Sequence, residues 1–204
     1  SSVTYTHASG DTWTAAYTEE SGDTAGAVGY SIAFDDTSGN SGTAVTSGSG
    51  SASVDVTAPT LASVTAISTP AANVTPSFVF SSDEAGTITS SITEGFSTSA
   101  SAVSGNNTIT FNALGDGTYS GKTITVTDPT GNATSLTIPT FAIDATGPTM
   151  TIASSTVNSG ATSNSSSISV SFTANESTSN FAAGDVTVGS GSLTNFSGSG
   201  TGYT

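Results

Sequence analysis

Apolar residues recur at every second position in several short stretches of the chain. Thr108-Ile109-Thr110-Phe111, Thr123-Ile124-Thr125-Val126 and Ser167-Ile168-Ser169-Val170-Ser171-Phe172 each alternate a hydroxyl side chain with a large apolar one. Successive side chains of a strand point to opposite sides, so this period gives one buried and one wet face. A disordered chain, which the Ser, Thr and Gly content would otherwise suggest, has no reason to keep the period. Exposed helices are supported by ion pairs four residues apart, and with one Lys and no Arg the chain can form almost none. The pattern therefore predicts an all-β protein with essentially no α-helix.

The alternating stretches belong to a longer repeat. GYSIAFDDTSGN (residues 29–40), followed later by DVTAPT (55–60), matches GKTITVTDPTGN (121–132), followed later by DATGPT (144–149). Each passage reads as a strand, an Asp-x-x-Gly-Asn turn, a second strand and an Asp-x-Thr-x-Pro-Thr exit. The period is 92 residues from Asp36 to Asp128 and 89 from Pro59 to Pro148, near the roughly 100 residues of an immunoglobulin-like sandwich. After each exit the chain restarts alike, and the later strands PSFVFSSDE (76–84) and ISVSFTANE (168–176) both end in an acidic residue. The expected organisation is tandem immunoglobulin-like β-sandwich domains. Residues 57–146 form a complete repeat of about seven short strands, 1–56 the C-terminal part of a preceding one, and 147–204 the N-terminal part of a following one. A half sandwich has an open apolar face and unpaired edges. The chain is accordingly expected to be a piece of a longer polypeptide, the alternative being completion by neighbouring copies through strand exchange.

The segments DDTSGN, SASVDVTAPT, VSGNNTITFNALGDGTYSGKTITVTDPTGNA and SISVSFTANESTSNF resemble the Ig-like repeats strung along large surface proteins of bacteria and archaea, of S-layer or adhesin type. The resemblance implies an extracellular, cell-envelope location and a structural task. The expected partners are copies of the same chain in a lattice or fibre, and surface glycans. The module also serves as an adhesin stalk or as a carbohydrate-binding accessory to a secreted enzyme, and these stand as alternatives.

Charge sharpens this picture. Fifteen Asp and Glu against the single Lys122 give a net charge of −14, a surface that repels nucleic acid and anionic membranes and attracts cations. With no cysteine, disulfides and thiolate metal sites are excluded. The sequence holds no run of eighteen apolar residues, so no membrane insertion is expected in this segment.

Calcium is the cofactor this chemistry favours, since hard cations take carboxylate, carbonyl and amide oxygens gathered by turns. At the first repeat junction the candidate ligands are Asp36, Asn40, Asp55 and Glu84; at the second, Asp128, Asn132, Asp144 and Glu176. An ion there would stiffen the joint. The plainer reading of Asp-x-x-Gly-Asn is a hairpin turn in which Asp caps its own backbone and Gly takes positive φ. Asn-x-Ser/Thr sequons at Asn73, Asn106, Asn164, Asn175 and Asn195 are glycosylation candidates, and Asn132 also heads one.

No enzyme is expected. His7 is the only histidine, with no nucleophile elbow or Lys pair beside it. Glu19-Glu20, Asp35-Asp36 and Asp83-Glu84 are adjacent along strands, so each pair points to opposite faces and cannot flank one glycosidic bond. Trp13 and Tyr17, like Phe78 and Phe80, share a strand face and are expected in the core. Tyr5, Tyr30, Tyr119, Phe96 and Phe196 are expected to pack in cores or at edges, the alternative being a sugar-binding platform. The Gly-rich stretches at 48–51 and 189–200 are expected to be turns or loops.

Overall fold

A computed structural model describes residues 3–10, 12–20, 22–48 and 52–204. Most of the Gly-rich stretch at 48–51 lies outside them. The chain divides into two compact units, Ser1–Asp144 and Ala145–Thr204. Among the described residues there is no α-helix, only one 3-10 turn at Ala183–Asp185, as the absence of helix-supporting side chains requires.

The first unit contains strands β1 (Val3–Ser9), β2 (Thr12–Tyr17), β3 (Gly26–Ala27), β4 (Ser53–Val54), β5 (Leu61–Thr65), β6 (Ser77–Ser82), β7 (Gly86–Ser90), β8 (Ser101–Ala102), β9 (Gly105–Thr110), β10 (Gly117–Tyr119), β11 (Thr123–Thr127), β12 (Ala133–Thr137) and β13 (Phe141–Ile143). From β5 onward they form sheets of order β5-β6-β9 and β12-β11-β7-β8, with β10 paired to β13; every one of these pairings is antiparallel. Nine strands thus stand where the sequence predicts about seven, because β8, β10 and β13 are too short to show a period.

Alternation decides what these sheets bury. Phe78 and Phe80 on β6, Ile109 on β9 and Ile124 and Val126 on β11 are all 0% exposed, and they join Ile88, Phe111, Phe141 and Ile143 in one cluster. The hydroxyls between them face outward: Thr125 lies opposite Thr89 on one side and Ser135 on the other. Several small antiparallel sheets around one alternating core are compatible with a β-sandwich.

The segment before β5 is built differently. β1 pairs with β2 and β3 with β4, while the strand predicted within residues 29–35 survives only as the isolated bridges Ile32↔Val45 and Asp35↔Ser41. No described residue between Val3 and Gly48 is buried. Trp13 and Tyr17 are 68% and 37% exposed, so their expected place in a core is corrected. Their spacing of four along β2 puts them on one face, but among the described residues no second sheet covers that face.

The second unit is the sheet β14 (Met150–Ser154), β15 (Val170–Thr178) and β16 (Gly198–Tyr203) in the order β14-β15-β16. Phe172 is buried there against the rings of Phe181 and Phe196, which in turn pack on Tyr203, with centroids 5.0–6.3 Å apart within this cluster. Phe196 is therefore a packing residue. So are Tyr119, stacked 5.0 Å from Phe141, and Phe96, which lies against the main cluster. Tyr5 and Tyr30 are exposed.

Candidate metal centre

The five residues Asp128 to Asn132 turn β11 into β12. Asp128 Oδ1 accepts the backbone N–H groups of Thr130 (2.8 Å), Gly131 (2.7 Å) and Asn132 (2.9 Å) and the Thr130 hydroxyl (2.9 Å), while Oδ2 accepts Asn132 Nδ2–H (2.9 Å). Gly131 sits at φ +102°, a conformation that L side chains avoid. Burial alone would push the Asp128 carboxyl up. The donors from Asn132, Thr130 and Gly131 outweigh it and hold its pKa at about 2. Asp128 is thus a fixed anion whose Oδ2 keeps free lone pairs.

The same turn grips the incoming chain. Asn132 Nδ2 donates to the Asp55 carbonyl at 2.9 Å, and the Thr130 hydroxyl reaches it at 3.4 Å. The third participant comes from the end of β6. There the Ser82 hydroxyl bonds the Glu84 carbonyl (2.7 Å), and Asp83 is clasped to the start of β5: Thr60 N–H donates to Asp83 Oδ1 at 2.7 Å and Asp83 N–H to the Thr60 carbonyl at 3.3 Å. As a result, carboxylate oxygens of Asp55, Glu84 and Asp128 lie within 4.8 Å of one another. Among the described residues this is the one group of three such side chains so close.

Three like charges at this spacing oppose one another. Desolvation first, and then Asp55, Asp128 and Asp83, push the Glu84 carboxyl above its ordinary value of 4.5. Two things relieve the repulsion: a proton on Glu84 or a cation between the three. An all-oxygen, anionic donor set fits a hard dication such as calcium and lacks the nitrogen or sulfur that zinc prefers. Asp55, Glu84 and Asp128 Oδ2 would hold it.

A pH dependence follows. The raised Glu84 pKa means the folded state gains stability as pH falls from neutral through that value, whereas the depressed Asp128 pKa contributes stability that is lost between 3.8 and about 2. In chelator, mild acidification from neutrality is expected to raise the melting temperature, and stronger acid to lower it. Calcium should remove the gain on mild acidification. A monotonic fall from neutral pH in chelator would contradict the arrangement.

The triad draws on both expected junctions, Asp55 and Glu84 from the first and Asp128 with Asn132 from the second. Asp36 and Asn40 form the same turn by themselves: Ser38 and Asn40 N–H donate to Asp36 Oδ1 and Asn40 Nδ2–H to Oδ2, all at 2.8 Å, with Gly39 at φ +85°. The Asn40 side chain and backbone lower the Asp36 pKa. Asp144 is exposed and donates its N–H to the Ala71 carbonyl, and Glu176 is half-buried on β15. The clasp recurs too, since Thr149 N–H donates to Asn175 Oδ1 at 2.7 Å and Asn175 N–H to the Thr149 carbonyl at 3.0 Å. Asn175 therefore carries a structural bond as well as a sequon. Asn73, Asn106, Asn164 and Asn195 are exposed, whereas the Asn132 amide is committed to Asp55, Asp128 and Thr130.

What sequence reasoning missed is the grouping. A signal for it existed in the period. Asp144 follows Asp55 by 89 residues and Glu176 follows Glu84 by 92, so each turn is owed a linker Asp and a strand-end Glu that precede it. No protein-family model matches the chain, nor does any curated protein or any solved structure.

Proposed function

We propose that this chain is a force-bearing stretch of a cell-surface structural protein, its tandem units immunoglobulin-like β-sandwiches in an S-layer lattice or extended surface fibre, with calcium at the Asp55–Glu84–Asp128 joint. The observation that carries the reading is the pair of devices repeated one period apart. The Asp-x-x-Gly-Asn turn recurs at Asp36 and Asp128, and the two-bond clasp recurs at Thr60/Asp83 and Thr149/Asn175. A protein that copies its joints along the chain is suited to spanning distance, and each joint seats a linker against the next module. The acidic surface favours an environment rich in cations.

Pulling single chains apart tests this. The segment from Leu61 to Ile143 should open in one step that releases roughly 280 Å of chain, and calcium should raise the force of that step. Gradual extension without a step, or a force indifferent to calcium while the chain is retained on polysaccharide, would replace the structural reading with the carbohydrate-binding one.

A further inference from the structure

We propose that Asn164 is an N-glycosylation site, its side-chain amide taking an oligosaccharide from a lipid-pyrophosphate donor. The inference rests on the reading of the chain as a cell-surface protein, because such donors serve exported chains.

Six Asn-x-Ser/Thr sequons are present, and their surroundings separate them. A transferase has to draw the sequon away from the body of the protein and reach the amide nitrogen, which calls for free backbone and an uncommitted side chain. Asn132 fails on the amide, since its Nδ2 donates to Asp55, Asp128 and Thr130. Asn106 fails on the backbone, being paired with Ser81 within β9. Asn175 lies within β15, and its Oδ1 takes the Thr149 N–H. Asn195 is followed by Phe196, packed in the ring cluster, and by Ser197, whose N–H and carbonyl both bond Thr204.

Asn164-Ser165-Ser166 is placed differently, in the loop 155–169 that joins β14 to β15. The base of this loop is closed: the Ser154 hydroxyl donates to the Ser169 carbonyl at 2.6 Å, and Ser169 N–H to Thr156 Oγ1 at 3.1 Å. Beyond that base every residue from 158 to 169 is exposed. The bonds near the sequon are local, from Ser165 N–H to Ser163 Oγ (3.1 Å) and from the Ser165 hydroxyl to the Ser167 carbonyl (2.7 Å). Among the described residues no hydrogen bond engages the side chain of Asn164 or of Ser166. The sequon can therefore bend outward without breaking a strand pairing.

The position also recurs. Asn73-Val74-Thr75 lies 91 residues earlier, in the loop between β5 and β6, and that interval falls inside the 89–92 spread of the other repeated features. Chance would scatter sequons without regard to the period. Asn73 is the closed version: its Nδ2 donates to the Thr75 carbonyl (3.2 Å), and its Oδ1 accepts the Thr75 N–H and hydroxyl, both at 3.0 Å. Val74 packs against the main cluster and Pro76 follows directly, so this loop resists being drawn out. In the reaction Asn164 Nδ2 forms a bond to the sugar C1 and the C1–O bond to pyrophosphate breaks. The lipid pyrophosphate leaves with that electron pair, and Nδ2 gives up one proton to solvent.

The folded full chain, incubated with a single-subunit oligosaccharyltransferase and a lipid-pyrophosphate-linked chitobiose, is expected to gain the disaccharide mass on the Asn164 peptide. Asn73 should gain less, and the other four sequons none. Ser166→Ala should abolish the product at Asn164, whereas Ser166→Thr should keep it. Ser166 is exposed, so an unchanged melting transition verifies folding of both variants. Chain denatured before the reaction should lose the selection and carry sugar at Asn106, Asn132 and Asn175 as well. An Asn164 that stays bare in the folded chain, or folded chain modified at Asn106 or Asn132 as fully as at Asn164, overturns the proposal. Either result leaves the force-bearing reading standing, because that reading is tested by pulling single chains that carry no sugar.

Discussion

Replacing Phe80 by alanine is expected to cost about 3–5 kcal/mol, the usual penalty for emptying a buried aromatic site. Phe80 is 0% exposed on the central strand of β5-β6-β9, opposite Ser63 and Asn107, and its ring lies 6.3 Å from that of Phe78. The surrounding cluster is held on both sides by paired strands, which limits its collapse into the gap. Total stability of a domain is about 5–15 kcal/mol, so the loss should bring the urea midpoint down by roughly 1–3 M. Phe34→Ala, at a position with the same alternating signature but 53% exposed, should change stability by no more than about 0.5 kcal/mol. Equal effects from the two substitutions would mean that the buried cluster is not where the structure puts it.

The second large effect is expected at Asn132. Its amide joins the Asp128 carboxylate to the Asp55 carbonyl, so Asn132→Ala removes the main tie between the β11–β12 turn and the incoming linker. Loss of hydrogen bonds to a charged group and a backbone carbonyl should cost about 1–3 kcal/mol. The linker at 55–60 should also become a protease site ahead of the rest of the molecule. Asn132→Asp makes the discriminating partner. It removes the same donors and adds a fourth carboxylate, so it should be worse than alanine in chelator and recover in calcium. If calcium rescues neither variant, the turn acts as a hairpin and nothing more.

These two positions also show what the chain discloses before it is folded. Period-two alternation identified Phe78, Phe80, Ile109, Ile124 and Val126 as sharing faces, and burial follows it strand by strand through the middle of the chain. The same signal was equally clear at Trp13 and Tyr17, which are exposed, because alternation specifies which side a residue faces and says nothing of whether another layer lies there. Short strands such as β8, with two residues, carry no period at all. At the site, residue types were legible from hard-cation chemistry and from the repeat, and the turn geometry at Asp36 and Asp128 followed from Gly and Asp preferences. The grouping was not, because sequence neighbours are a poor guide to spatial ones. Asp128 meets a linker residue 73 positions upstream, while the Asp55 that follows Asp36 by 19 positions is held elsewhere.

The account centres on three mutually repelling carboxylates relieved by a cation, and melting the full chain in chelator and in saturating calcium tests it most directly. Calcium at about a hundred times its dissociation constant should add about 2.7 kcal/mol, raising the transition of the first unit by roughly 5–10 °C, and Asp128→Asn should remove the shift. A transition at the same temperature with and without calcium would contradict it.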